Sequence, residues 1–310
     1  MEGKHSFRAV EIPVPFGQIS GKWYGPSNIR PLLFIHGFTD NSGTFDRLIP
    51  LLPAHASYLA IDLPGHGLSS DLPNGMMYHL ADTSLHILRI MQTYNWTRVS
   101  LVAHSLGAIM SYIFIGLFPE LVDLFVAIDA LQPSFPGGIL NQQAYYIKRA
   151  LEMQDQNGRN ELCKGFTYEE IMEKVHHGLT SRIPRELCHH LLARNIVASK
   201  TIPDKYFFRQ DSRTKYPNIL GWSKDTNAET ARNVCCPVLV IKSTEAIFFS
   251  ELDEFSQLIE IMKKFNSNVK IVTVPGCHYV HLIEPERVAK VISEFLESCE
   301  YFRNKLESKL

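Results

Sequence analysis

Residues 99–107, VSLVAHSLG, are the stretch that decides the fold class of this 310-residue chain. Residues 99–104 read as a buried strand, and the very apolar run 108–118 reads as a helix packed under a sheet. Ser105 therefore falls at a sharp turn between strand and helix, with small residues two positions before and after it. Such a turn lifts the serine hydroxyl above the sheet, where a neighbouring base can activate it as a nucleophile. The alternative is a serine that only caps the helix.

Further strands and helices alternate on both sides of this turn, which predicts βαβ units and a mostly parallel sheet. Helical patterns cover residues 79–95 and a closing helix from 286, where Val288, Ile292 and Phe295 share one apolar stripe. The predicted strands are residues 7–14, 19–24, 31–36, 58–62, 99–104, 124–129, 237–241 and 269–274.

The hydropathy pattern changes between residues 132 and 231, where amphipathic helical stretches replace the short apolar runs and no clear strand is visible. The helical stretches are residues 145–153, 169–177 and 186–199. We therefore predict a sheet core formed by residues 1–131 and 232–310. A helical cap, residues 132–231, is inserted between two late strands.

Composition excludes several classes of protein. The chain is 45% hydrophobic and 20% charged, and 31 basic residues against 32 acidic ones leave a net charge of −1. That balance gives no basic excess for a nucleic-acid backbone. No run is long and apolar enough for a membrane span, and residues 1–17 lack the apolar segment of a signal peptide.

The sequence gives little support for a metal site or for disulfide bonds. The six cysteines include an adjacent pair but no CxxC motif, so we expect free thiols. The histidine pairs 176–177 and 189–190 lack carboxylate or thiol partners at ligand spacing. We therefore expect no metal and no cofactor.

His278 is the predicted base for Ser105. It follows strand 269–274 in a loop with Pro275 and Gly276, at the carboxyl end of a late strand. A loop in that position reaches a nucleophile at the same edge of a parallel sheet, and the chain order Ser, acid, His fits. The competitor is His281, three residues on.

Two backbone amides are predicted to bind a developing oxyanion. Gly37 ends an early strand and lets the backbone turn, so that the amide of Phe38 points towards Ser105. The amide of Leu106, directly after the serine, is the second N–H donor. The alternative is an ordinary glycine that ends a strand.

The acid that would orient His278 has two main candidates in the sequence. Asp129 stands at the carboxyl end of strand 124–128, and Glu245 lies in the loop after strand 237–241. Asp253 lies deeper in the next helix and is less favoured. A chain without a working acid is the remaining possibility.

The chain ends in Ser308, Lys309 and Leu310, which match a peroxisomal import signal. We therefore expect recognition by the peroxisomal import receptor and a peroxisomal location, with a cytoplasmic pool as a further possibility. A surface tail that reads SKL by chance is the alternative.

Four segments of this sequence resemble the α/β-hydrolase superfamily, and more closely the serine hydrolase-like proteins of the kraken-type group. They are HGFTDNSGTFDRLIPLLP (36–53), DLPGHGLSS (62–70), FPELVD (118–123) and VPGCHYVHLIEPERV (274–288). The resemblance implies an eight-stranded, mostly parallel sheet with a helical cap and a Ser/His/acid hydrolase without a cofactor. Many superfamily members carry the acid at the position where this chain has Ala246. Some carry it after the preceding strand, which favours Asp129 as the acid in this chain.

Together these features predict a serine hydrolase that cleaves a carboxylic ester or a thioester, with an acyl or lipid-like small molecule as substrate. Ser105, His278 and Asp129 would form the catalytic triad. One alternative is a ligand-binding protein on a hydrolase scaffold without turnover. Another is a different reaction of the same triad, such as that of a lyase or an acyl transferase.

Overall fold

The computed structural model describes residues 6–133, 138–158, 165–178, 182–220, 222–245 and 252–299. The strands are β1 (Arg8–Val14), β2 (Gly17–Tyr24), β3 (Leu32–Ile35), β4 (Tyr58–Ile61), β5 (Val99–His104), β6 (Val122–Ile128), β7 (Ile196–Ala198), β8 (Tyr206–Phe208), β9 (Val238–Ser243) and β10 (Val269–Val274). The helices are α1 (Asp82–Thr93), α2 (Leu106–Leu117), α3 (Ile139–Gly158), α4 (Tyr168–His177), α5 (Cys188–Asn195), α6 (Lys224–Asn233), α7 (Leu252–Phe265), α8 (Val280–Ile283) and α9 (Pro285–Ser298).

Eight strands form one sheet in the order β1-β2-β4-β3-β5-β6-β9-β10. β2 pairs antiparallel with β1 and with β4, and every other neighbouring pair is parallel. The predicted α/β fold with a mostly parallel eight-stranded sheet is thus confirmed. In such a sheet the carboxyl ends of β3, β5, β6, β9 and β10 share one edge, where ligand sites form.

Helices cover both faces of the sheet, which explains why β3, β4 and β5 are buried along their whole length. One face packs against α1, α2 and α7, where Ile90, Phe114 and Met262 belong to the core. The other face packs against α9 through the predicted stripe, including Val288 and Ile292. The sheet is therefore a rigid support for the loops at its edge.

The segment between β6 and β9 contains a small sheet that the sequence did not suggest. β7 and β8 pair antiparallel, Ile196 opposite Phe208. The helix expected over residues 186–199 ends as α5 at Asn195, because the β-branched Ile196 and Val197 favour an extended backbone. The limits of the cap, residues 132–231, stay a prediction. The upper limit falls within α6, which packs against α2 and α7.

The predicted location signal at Ser308, Lys309 and Leu310 lies outside the described residues. Over the ranges that the structure does describe, no helix combines the length and the apolar character needed to cross a membrane.

A buried ion pair ties α5 to the sheet. Asp62, directly after β4, is fully buried and accepts hydrogen bonds from Nε of Arg194 at 2.9 and 3.2 Å. Nη2 of Arg194 lies 2.8 Å from Oδ2 of the same carboxylate. The amides of Ser42 and Leu68 also donate to this carboxylate, each at 2.8 Å. Burial disfavours its charged form, but Arg194 and the two amides outweigh that cost and lower the pKa of Asp62.

Replacing Arg194 by methionine is expected to lower the free energy of unfolding by about 3–5 kcal/mol, because it leaves an uncompensated charge in the interior. Chemical denaturation of the purified protein measures this loss. Arg185→Met is the matched control, since Arg185 forms exposed pairs with Glu169 and Glu173 that contribute less than about 1 kcal/mol. Equal losses in both variants would contradict the assignment.

Candidate active site

Ser105 occupies a strained turn between β5 and α2. Its φ of 52° and ψ of −122° are unfavourable for a residue with a Cβ atom. Its amide donates to the carbonyl oxygen of Ile128 at 3.0 Å, which fixes the turn against the end of β6. Strain of this kind persists where the surrounding structure imposes it, and it is common at functional sites.

Glycine is required two residues after the serine because α2 crosses β3 closely. A Cβ atom built on Gly107 would lie 2.5 Å from the carbonyl oxygens of Ile35 and His36. Ala103, two residues before the serine, is fully buried within β5, so its methyl group is accommodated there. Of the two small residues around the serine, the one that is not glycine therefore lies where a methyl group is tolerated.

The structure brings the predicted base and one predicted acid together at the carboxyl edge of the sheet. The Nδ1 atom of His278, in the loop after β10, lies 2.7 Å from Oδ2 of Asp129, directly after β6. Both side chains are buried. The other carboxylate oxygen of Asp129 accepts the amide of Ser243 at 2.7 Å. An ionised carboxylate only accepts, so Nδ1 carries the proton and Nε2 has a lone pair for general-base work.

The alternative acids are placed differently. Glu245 is exposed, and its amide donates to the carbonyl oxygen of Gly276 at 3.1 Å. Ala246 and the side chain of Asp253 lie outside the described residues. The roles of Ser105, His278 and Asp129 stay predictions, and the geometry of the last two suits them.

His281, the competing base, belongs to α8 and points elsewhere. Its Nε2 atom lies 2.8 Å from the hydroxyl oxygen of Thr44. Complete burial, and then the nearby His278, lower the pKa of His281 to about 3. A histidine that is so weakly basic is poorly suited to general-base work near neutral pH.

His104 is a supporting residue that the sequence reasoning missed, although it lies within the turn motif. Its Nε2 atom is 3.0 Å from the backbone carbonyl oxygen of His278. Because a carbonyl oxygen only accepts, Nε2 of His104 must donate. Burial lowers the pKa of His104 well below its usual value, so the ring is neutral. The bond links the serine turn directly to the loop of the predicted base.

The two predicted oxyanion amides flank Ser105. Leu106 is the first residue of α2, and the first amides of a helix have no acceptor within it. The turn after β3 abuts the serine, since a Cβ atom on Gly37 would lie 2.9 Å from Cβ of Ser105. Phe38 follows this contact, and Thr39 adopts a φ of 57°. The oxyanion role of Phe38 and Leu106 stays a prediction.

His36 holds this turn through a defined tautomer. Its Nε2 atom accepts the amide of Leu63 at 2.9 Å, so Nδ1 carries the proton and donates to the carbonyl oxygen of Gly37 at 2.8 Å. Burial, and then the neighbouring His66, lower the pKa of His36 to about 3. Protonation of Nε2 would therefore break the contact with Leu63.

Lowering the pH from 7.5 to 5.0 is expected to cost about 2 kcal/mol of stability through His36 alone. The unfolded chain takes up a proton below about pH 6.5, whereas the folded ring stays neutral until about pH 3. The stabilising contribution is complete above pH 6.5 and declines as the pH falls. Denaturation at both pH values measures this loss in the free energy of unfolding. The loss between pH 7.5 and 5.0 should be smaller by this amount in His36→Gln than in the wild type, and exposed His55→Gln is the control.

An apolar cavity of about 40 Å³ opens beside Leu106. The cap contributes Thr214 and Pro217 to its wall, and neither belongs to the helical stretches predicted over residues 145–153 and 186–199. The core residues that line it are Leu63, Pro64, His66, Leu72, Tyr78, His79, Leu80, Asp82, Thr83, His86, Leu106 and Met110.

Comparisons with known proteins agree with this architecture. The family model described as alpha/beta hydrolase fold matches residues 30–155. The "Probable serine hydrolase" of Drosophila melanogaster is 32% identical over 300 residues, covering 95% of this chain and 89% of that protein. "Serine hydrolase-like protein 2" of Homo sapiens is 31% identical and covers 93% of each chain.

Among solved structures, a hypothetical protein from Pseudomonas aeruginosa PAO1 superimposes with a TM-score of 0.77 at 27% identity, covering 93% of this chain and 97% of that one. The resemblance carried by the four sequence segments is therefore confirmed over nearly the whole length. The chain belongs to the serine hydrolase-like proteins, a family with the α/β-hydrolase fold.

Proposed function

We propose that this protein is a serine hydrolase that cleaves a carboxylic ester or a thioester through Ser105, His278 and Asp129. The observation that carries the proposal is the 2.7 Å contact between His278 Nδ1 and Asp129 Oδ2, which prepares a base at the edge of the sheet where Ser105 stands. Family membership supports hydrolysis in general, and the choice of substrate is our inference.

The reaction begins when Oγ of Ser105 attacks the substrate carbonyl carbon while Nε2 of His278 takes the hydroxyl proton. The amides of Phe38 and Leu106 bind the oxyanion of the tetrahedral intermediate. When the intermediate collapses, the carbon–oxygen or carbon–sulfur bond breaks and His278 protonates the leaving alcohol or thiol. Asp129 remains ionised and stabilises the imidazolium while it exists.

A water molecule then attacks the acyl-enzyme, with His278 accepting its proton. The second tetrahedral intermediate collapses, Ser105 recovers its proton from His278, and the carboxylic acid leaves. The apolar cavity beside Leu106 supports an acyl group as the part of the substrate that is held close to the serine.

Two alternatives from the sequence remain distinguishable by experiment. The argument for a ligand-binding protein without turnover is that Ala246 stands where many superfamily members carry the acid. The bond between Asp129 and His278 weakens that argument, because it offers an acid from another loop. A lyase or an acyl transferase would use the same side chains but release a product other than the free acid.

The test is a panel of acyl esters and matched acyl-CoA thioesters, with the products identified by mass spectrometry. We expect stoichiometric release of the carboxylic acid and the alcohol or thiol. An acyl product carried by an added alcohol or amine would indicate acyl transfer. No turnover of any substrate by folded protein that also resists a fluorophosphonate would overturn the proposal.

We further propose that the import receptor of peroxisomes recognises Ser308, Lys309 and Leu310. Microscopy of the chain with a fluorescent protein at its amino terminus tests this location. We expect a punctate signal that overlaps a peroxisomal marker and becomes diffuse when the last three residues are deleted. A diffuse signal from the full chain would contradict the proposal.

A further inference from the structure

A second polar cluster lies buried behind Ser105, apart from the pair of Asp129 and His278. Its members are Asp40, His104 and His281, each at most 2% exposed. Oδ2 of Asp40 and the Nδ1 atoms of both histidines have no hydrogen-bond partner. One ligand atom from each of the three residues lies within 4.8 Å of the other two. Unpartnered polar atoms are costly in an interior, so such a group requires an explanation.

The proton positions in His104 follow from its bond to the backbone. Nε2 donates to the carbonyl oxygen of His278, and the ring is neutral. A neutral imidazole carries one N–H, so Nδ1 of His104 has a lone pair and no proton. That lone pair has no hydrogen-bond partner.

His281 offers its Nδ1 atom in a similar way. Nε2 of His281 lies 2.8 Å from the hydroxyl oxygen of Thr44, which can donate or accept. In the tautomer in which Nε2 donates to that hydroxyl, Nδ1 of His281 carries a second lone pair without a partner.

Asp40 supplies the third ligand atom. Its Oδ1 accepts the amide of Asn41 at 2.9 Å, while Oδ2 has no partner. The three unpartnered atoms lack a shared positive centre, and a cation would satisfy all of them at once.

We propose that Asp40 Oδ2, His104 Nδ1 and His281 Nδ1 bind a divalent transition-metal ion, with Zn²⁺ the best match. Two imidazole nitrogens and one carboxylate oxygen are a common ligand set for zinc, with water in the fourth position. Metal-binding histidines usually donate their other N–H to a carbonyl or another acceptor. His104 does so here, and Nε2 of His281 is hydrogen-bonded to the Thr44 hydroxyl.

The position of the site gives the ion a consequence for the candidate active site. A Cβ atom on Gly37 would lie 3.0 Å from Nδ1 of His104 and 2.9 Å from Cβ of Ser105, so the site is directly behind the serine turn. An ion on His104 would fix the ring that holds the His278 carbonyl. The inference does not depend on the proposed hydrolysis, because binding is measured without any substrate.

The first test is calorimetric titration of Zn²⁺ into the full chain after treatment with a chelator. We expect one ion per chain, and an affinity lower by about 100-fold or more in Asp40→Asn and in His281→Gln. The double variant His189→Gln, His190→Gln is the matched control, because it removes two histidines near the surface of α5 and should keep the affinity. Circular dichroism checks the fold of each variant.

A second measurement uses the unmodified chain, so it does not depend on the folding of a variant. X-ray absorption of the zinc-loaded protein should show two imidazole nitrogens and at least one oxygen around the ion. Absence of stoichiometric binding to folded wild-type protein would overturn the proposal and leave a buried water or a shared proton as the occupant. Affinity that falls only in the control variant, or in none, would overturn it as well.

Discussion

Replacing Ser105 by alanine is expected to abolish covalent labelling by a fluorophosphonate and to lower hydrolysis by about a million-fold. The nucleophilic oxygen is lost, while alanine meets the same backbone strain at a φ of 52° that serine does, so the fold should persist. Gel-based detection of the labelled protein and a sensitive ester assay measure the two effects.

Ser111→Ala is the matched control for this experiment. Ser111 is a fully buried serine of α2, and its hydroxyl donates to the carbonyl oxygen of Gly107 at 2.8 Å. Labelling should survive that change. Labelling that persists in Ser105→Ala would assign the reactive nucleophile to another residue and remove the basis of the proposed mechanism.

Asp129→Asn is expected to reduce kcat by about 10⁴-fold with little change in volume. The Ser243 amide donates to Oδ1, so the asparagine carbonyl oxygen will take that side and its NH₂ group will face His278. The NH₂ group donates to Nδ1, which moves the imidazole proton to Nε2. A histidine with its proton on Nε2 cannot accept the proton of Ser105.

Glu245→Gln is the control that distinguishes Asp129 from Glu245 as the acid. Because Glu245 is exposed and contributes its amide to the contact with Gly276, we expect wild-type rates within about a factor of two. A large loss in Glu245→Gln together with a small loss in Asp129→Asn would reverse the assignment of the acid.

Much of the fold follows from local sequence signals. The apolar runs of β3, β4 and β5 are continuous because both faces of the sheet are covered, and that pattern is visible without coordinates. Turn chemistry around Ser105 and Gly107 identifies the strand–turn–helix junction. The β7–β8 pair was missed because three-residue strands give too short a pattern to stand out from the end of a helix.

The candidate site was only partly predictable, because its contacts join distant segments. The choice between Asp129 and Glu245 depends on which loop reaches His278, and both loops follow neighbouring strands of the sheet. The link from His104 to the His278 carbonyl spans 174 positions in the chain and leaves no periodic signal. Tautomers depend on such partners, so they emerge only when the partners are located.

The position of Asp129 directly after β6 has an evolutionary consequence. Ser105 and Asp129 follow the adjacent strands β5 and β6, which both precede the predicted cap, so their spacing is independent of how long the inserted segment becomes. If Asp129 acts as the acid, the loop after β9 need not supply it, and descendants of the chain can vary that loop beyond Glu245 without disturbing the proposed triad.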